Sequence, residues 1–184
     1  MPNPNNPNGF QFVTVFRPMP PRIRKFIKVV GTTVAIFQND VVYAAGGASG
    51  ETKSPIKSFA DGATPGTTLP VGVALDFGSA SKRTQHHVIV DFESDFVAQD
   101  NDGTTGILGT DLNKNANVDP TGVAGSSLTG FSGNQIDKST VNVSASRDLL
   151  LIQLWPDVNN AFGPNARVIC RFNREREVPG SVGI

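Results

Sequence analysis

Two histidines stand side by side, His86-His87, and they are the only imidazoles in the chain, so any histidine base, triad or histidine-ligated metal must use one of them. Adjacent residues of a strand point to opposite faces, so the pair is not expected to serve one metal ion. Ser and Asp are plentiful, but no G-x-S-x-G frame surrounds a serine, and no triad is expected. Asp91, Glu93 and Asp95 recur every second residue, which on a strand puts three carboxylates on one face, with Asp100 and Asp102 close in sequence. A calcium ion could use such a set. The D-x-D-x-D-G order of a calcium loop is missing, however, and an acidic edge that discourages strand pairing explains the same residues. Gly46-Gly47 has no following Lys-Ser/Thr, so it reads as a hairpin turn rather than a phosphate cradle. Cys170 is the single cysteine, which excludes an intrachain disulfide and a cysteine-built zinc site. No catalytic residue, metal ligand or cofactor site is expected, and the chain reads as a non-enzyme.

The elements around these residues are set by composition. At 184 residues the chain is long enough for one domain with its own core, while 19 Gly, 13 Pro and many Asn, Ser and Thr favour short strands and turns over long helices. The formal net charge is +0, which gives no global attraction to nucleic acid or to an anionic membrane. No run of apolar residues is long enough for a membrane-spanning helix, and the opening residues lack a secretory pattern, so synthesis and use on the cytoplasmic side are expected.

Strands are expected at 26–30, 33–37 and 41–45 as a meander, then at 71–77 and 87–92, each rich in Val, Ile, Phe or Thr. Residues 50–70 read as a long surface loop around a short strand, 105–113 as one or two helical turns, and 115–133 as loop. Residues 149–155 are nearly all apolar, as in a strand buried on both faces, with Leu150, Ile152 and Leu154 expected on a common buried side. In 167–173, Val168, Cys170 and Phe172 alternate inward against Arg167, Arg171 and Asn173. About eight strands without helical crossovers give an all-β fold, an antiparallel β-sandwich or small β-barrel with an extended N-terminal arm and long loops. Trp155, Tyr43 and most phenylalanines lie in apolar strand runs and read as core; a stacking platform for host-surface glycans is the alternative use of such aromatics.

The division expected is an arm at 1–24, one β-domain at 25–174 and a polar tail at 175–184. Six prolines in the arm, from Pro2 to Pro21, oppose helix, and Phe10, Phe12 and Phe16 are too apolar for a solvated linker. Arg17, Arg22 and Arg24 are followed by Lys25 and Lys28, and no acidic residue precedes Asp40. Phe10, Phe12, Phe16, Arg17, Arg22 and Arg24 are therefore the candidate contacts with a protein partner. An extended arm of roughly 22 residues at about 3.3 Å each spans some 70 Å, enough to bridge neighbouring subunits.

Several segments carry a resemblance. Asn8-Gly9-Phe10, with Val13, Arg17 and Pro18 displaced, is similar to an opening N-x-G-F-x-P-V-R. Asn39-Asp40-Val41-Val42 with Gly46-Gly47, and later Val71-Gly72-Val73-Ala74, resembles a G-D-x-V hairpin and a following G-V strand. Residues 91–99 are similar to a D-P-D-x-x-F-x-x-Q segment, with Phe92 and Glu93 replacing Pro and Asp. The closing elements are 149–155, Asn159-Asn160 and 167–173. In this order the segments resemble a family of tailed-bacteriophage structural proteins, the capsid cement, decoration or minor virion proteins, over residues 8–173. The resemblance implies a β-rich protein on the capsid exterior of the virion, bound to the major capsid protein and bridging its subunits, with a homotrimer or dimer as the expected assembly and no catalytic residue, nucleic acid or membrane involved.

Overall fold

The computed structural model describes residues 3–14, 20–28, 34–45, 55–79, 85–91, 93–120 and 125–173. Within them the chain is all-β, as expected, and its eleven strands make two sheets. β2 (Ile23–Lys28), β3 (Val41–Ala44), β4 (Pro55–Ser58), β5 (Pro70–Ala74) and β6 (Gln85–Ile89) close into a barrel in the order β2-β4-β3-β5-β6. β1 (Gln11–Val13), β7 (Asp95–Gln99), β8 (Asn115–Asp119), β9 (Gln135–Asn142), β10 (Leu149–Leu154) and β11 (Arg167–Phe172) form a six-stranded antiparallel sheet in the order β1-β7-β11-β10-β8-β9. A parallel bridge between Asp100 and Ile136 brings the end of β7 against β9, so the sheet curls back on itself.

The two-residue strand period divides the barrel residues between two cores. Val42, Ile56, Ala74 and Val88 point inward and, with Ile36, fill the barrel. Their neighbours Val41, Val73 and Ile89 lie side by side across β3, β5 and β6, on the opposite face. That face packs on Phe96, Ala116, Val118, Leu149, Leu151, Val168, Cys170 and Phe172 of the sheet to form the larger core. Gly72 lies where β5 crosses closest to β6: a Cβ there would stand 1.9 Å from the carbonyl oxygen of Ile89, so the position needs glycine.

Several expectations change. The meander expected at 26–30, 33–37 and 41–45 does not form: residues 34–37 hold an isolated bridge, Ile36 to Gly78, in place of a strand, and β4 lies between β2 and β3, parallel to β2. The segment 115–133 is not all loop: it begins with β8, whose Ala116 and Val118 are buried between half-exposed or hydrogen-bonded Asn and Asp. The helical signal at 105–113 reduces to a single 3-10 turn, Gly109–Asp111, since Gly106 and Gly109 favour turns over a continuing helix.

In β10 the buried side is that of Leu149 and Leu151, not of Leu150 and Ile152. The register with β11 shifts between Leu151 and Gln153, a bulge that returns Leu154 to the core side. Residues 167–173 alternate as expected, with Ile169 buried as well. The expected Gly46-Gly47 turn and the tail 175–184 lie outside the described residues.

The opening segment belongs to the domain. β1 pairs antiparallel with β7, Gln11 beside Val97 and Phe12 beside Phe96. Ahead of it Asn3 donates to the carbonyls of Ala161 and Pro164 and accepts from the Ala161 N–H, and the Asn6 N–H donates to Gln99. The prolines do keep 3–10 free of helix, but the segment lies along its own sheet rather than extending from it.

Candidate protein-interaction surface

β2 pairs with β6 from Ile23 to Ile27 and with β4 at Ile27 and Lys28, so the barrel fixes the strand from its β6 side along its first residues and from both sides at its end. Arg22, Ile23, Arg24 and Lys25 are all exposed, Ile23 to 48%. Arg24 stands beside Val88 and Lys25 beside the exposed His87, which places cations on both faces of the strand around a bare isoleucine. None of Arg22, Arg24 and Lys25 has a carboxylate partner among the described residues. The row sits on a closed barrel, whose backbone hydrogen bonds hold it in one geometry.

The structure separates the residues that the sequence grouped. Arg22 and Arg24 are on this surface. Phe10 is not on it: the ring is fully buried in the core, 6.5 Å from Phe172 in a stacked arrangement. Phe12 is half-buried and meets Phe96 edge-on at 6.3 Å. Phe10 and Phe12, two of the apolar side chains that needed cover, are thus covered from within. Phe16 and Arg17 lie outside the described residues. Lys25 and Ile23 complete the surface, and their signal in the sequence is continuity, four neighbours along one strand.

The histidines alternate across β6 as expected and still meet at one side chain. His86 faces the barrel interior, fully buried, and His87 faces outward, yet both Nδ1 atoms lie 2.9 Å from the carboxylate of Asp76, one on each oxygen. The His87 N–H donates to both oxygens at 3.2 Å. Asp76 lies two residues past the end of β5, and its side chain crosses to β6 to collect both rings. Burial lowers the His86 pKa; Asp76 opposes this and the charge of Lys28 adds to it. Lys28, buried at the end of β2, donates to the Ser79 carbonyl at 2.9 Å, and burial lowers its pKa as well.

The acidic run does not share one strand face. Asp91 accepts the Glu93 N–H in a turn, while Asp95 starts β7, is 2% exposed and takes Arg171 through Nε at 2.9 Å and Nη2 at 2.7 Å. Asp100 accepts the Asp102 N–H at 2.8 Å, with the Ala166 and Ile107 N–H groups also lowering its pKa against burial, which lifts it to about 6. Donors of this kind suit a carboxylate and repel a cation. Among the described residues no three His, Cys, Asp or Glu side chains are grouped to hold a metal ion.

Asp40 is the other buried carboxyl. It accepts from the Phe37 N–H, the Ser58 hydroxyl and the Ser132 hydroxyl, and burial outweighs these bonds to raise its pKa to about 6. Cys170 is fully buried, and burial pushes its thiol pKa up, which leaves it unreactive.

Two clefts flank β1. One, of about 80 Å³, runs between Pro4, Asn8, Gln11, Gln99 and Arg167; the other, of about 90 Å³, lies between Phe12, Pro20, Asp91 and Glu93. Both are far below the roughly 300 Å³ of a small-molecule site. Comparison with protein-family models, with curated proteins and with solved structures gives no match.

Proposed function

We propose that this chain is a structural virion protein that binds the outer surface of a tailed-phage capsid and stabilises the shell by bridging major capsid protein subunits, without catalysing a reaction. The observation that carries the reading is the row Arg22-Ile23-Arg24-Lys25, three cations without carboxylate partners among the described residues around an exposed isoleucine on a rigid barrel. Such a row fits an acidic protein surface with an apolar spot at its centre. The order of motifs from Asn8 to Asn173 favours a capsid as the bearer of that surface.

One contact of this size is weak, because exposed ion pairs each contribute about 0–1 kcal/mol. A shell repeats the contact on every subunit, and an assembly of two or three copies binds several repeats at once, so avidity replaces single-site strength. Nucleic acid suits the surface less well, since Asp91 and Glu93 follow the strand that pairs with β2 and the chain is neutral as a whole.

The test is sedimentation with purified capsids. The wild-type chain pellets with the shells and is released progressively as salt rises, whereas Arg22→Glu/Arg24→Glu, still folded by circular dichroism, stays in the supernatant. If the wild type never pellets, or the charge-reversed variant pellets equally, the reading is wrong.

A further inference from the structure

Residues 3–13 are bound to this domain only by contacts with residues far away in sequence. Asn3 meets the 161–164 turn, Asn6 meets Gln99, and the Asn8 carbonyl accepts from the Asn39 side chain. The Phe10 N–H donates to the Asn39 carbonyl at 2.9 Å, and β1 pairs with β7 alone. We propose that this segment is an exchangeable strand, able to leave its own domain and dock with the same contacts on a second copy of this chain.

Three features of the slot support the exchange. First, it lies at the edge of the six-stranded sheet, so the strand can enter or leave sideways while the order β7-β11-β10-β8-β9 is kept. Second, it is shaped for this sequence and for no general peptide. Gly9 has φ +70° and is wedged so tightly that a Cβ would stand 2.5 Å from both the Asn39 carbonyl oxygen and the Ser132 Cβ, and the next residue, Phe10, fills a fully enclosed space beside Phe172. Third, the slot is recessed enough to hold its occupant in register: Asn3 and Asn6 bond on one side of the Phe10 anchor, and Gln11, Phe12 and Val13 pair with Val97, Phe96 and Asp95 on the other.

Exchange conserves every one of these contacts, so its free energy depends only on the tether and on the concentration of second copies. The tether is residues 14–22, nine residues that include Pro18, Pro20 and Pro21 and reach at most about 30 Å when extended. A short tether gives the chain's own strand an effective concentration of the order of 1 mM. A neighbouring copy competes once copies are packed at similar density, or when many chains refold together. The partner is therefore a second molecule of the same sequence, and the inference needs no capsid to be true.

The test pairs single-cysteine variants. Gln11 and Val97 are cross-strand neighbours, so Gln11→Cys and Val97→Cys sit within disulfide reach only when the strand of one molecule occupies the slot of the other. The native Cys170 is buried and stays silent. The two variants are mixed, unfolded and refolded together at about 1 mM, then oxidised and run on a non-reducing gel. Gln11→Cys with the exposed Ser144→Cys measures chance collision, and Val13→Cys with Asp95→Cys, another cross-strand pair of the same ladder, is a second pair should Val97→Cys fold poorly. The expected result is a mixed disulfide dimer several-fold above the collision control for at least one designed pair. Yields at the control level for both pairs overturn the exchange. The outcome is independent of sedimentation with shells, which tests the β2 surface alone.

Discussion

Ser132 donates a 2.5 Å hydrogen bond to Asp40 across the joint between the barrel and the six-stranded sheet. Asp40 stands immediately before β3 and Ser132 precedes β9, so one carboxyl ties the two halves together, with the Ser58 hydroxyl of β4 on its other oxygen at 3.0 Å.

The first prediction concerns the acid response of this joint. Asp40 has its pKa raised to about 6 in the fold, against 3.8 in an open chain. Above pH 6 it is ionised in both states and the fold carries the cost of a buried charge; as pH falls from 6 toward 3.8 the folded form takes up a proton that the unfolded form does not. Asp40 thus adds stability on acidification, at most about 1.4 kcal/mol for each pH step of one across that window. Asp40→Asn, whose amide can still accept from Phe37 and Ser58, should be more stable than wild type at pH 8 and gain less between pH 7 and 5. Urea midpoints at the three pH values decide it, and parallel profiles for the two proteins count against a titrating Asp40.

The second prediction separates the histidines. His86 is buried and neutral with a lowered pKa, so its contribution is present above pH 6.5 and is lost as pH falls through its folded value, opposite in sign to that of Asp40. His86→Gln should cost about 1–3 kcal/mol at pH 7 by disturbing a buried hydrogen bond to Asp76. His87→Gln, on an exposed ring, should cost less than about 1 kcal/mol. Equal losses in chemical denaturation contradict the assignment of His86 to the barrel interior.

A third prediction follows from the burial of Phe10. Phe10→Ala should lose about 3–5 kcal/mol, the usual cost of emptying an enclosed aromatic site. Removing residues 1–13 should likewise lower the melting temperature. An unchanged melting curve after either change means the segment is not part of the core.

The fourth prediction tests the bulge in β10. Leu151→Ala should cost about 2–5 kcal/mol, while Ile152→Ala, half-buried on the other side, should cost clearly less. The reverse order in guanidinium unfolding would place the register shift elsewhere.

The strands legible in the sequence are those where apolar residues, mostly β-branched or aromatic, repeat with period two, as at Val41 and Tyr43 or Val168, Cys170 and Phe172. β8 and β9 escaped because Asn, Asp, Ser and Thr separate their few apolar residues. Those polar groups bond within the sheet, the Asn117 N–H to the Thr140 hydroxyl for one. The inward side of β10 was misread at Ile152 because a bulge is a property of two paired strands, and no periodicity in one of them records it. Proline content correctly opposed helix in the opening segment. What covers Phe10 is a partner 162 residues away, Phe172, and nothing local announces it. At the candidate surface, Arg22 and Arg24 were legible because runs of charge without counter-charge remain visible at any level of description.

The closure of the barrel also has a consequence for synthesis. Its last seam joins Ile23 to Ile89, and β1 finds its partner only in β7. A nascent chain emerging from the ribosome therefore holds Ile36 and Val42 without their final cover until residues 85–89 have followed, and Phe10 until Phe172 has. Such nonlocal pairing slows folding and leaves early intermediates prone to stick to one another. Slower translation at lowered temperature should raise the soluble yield, and nascent fragments that stop before residue 85 should accumulate on chaperones.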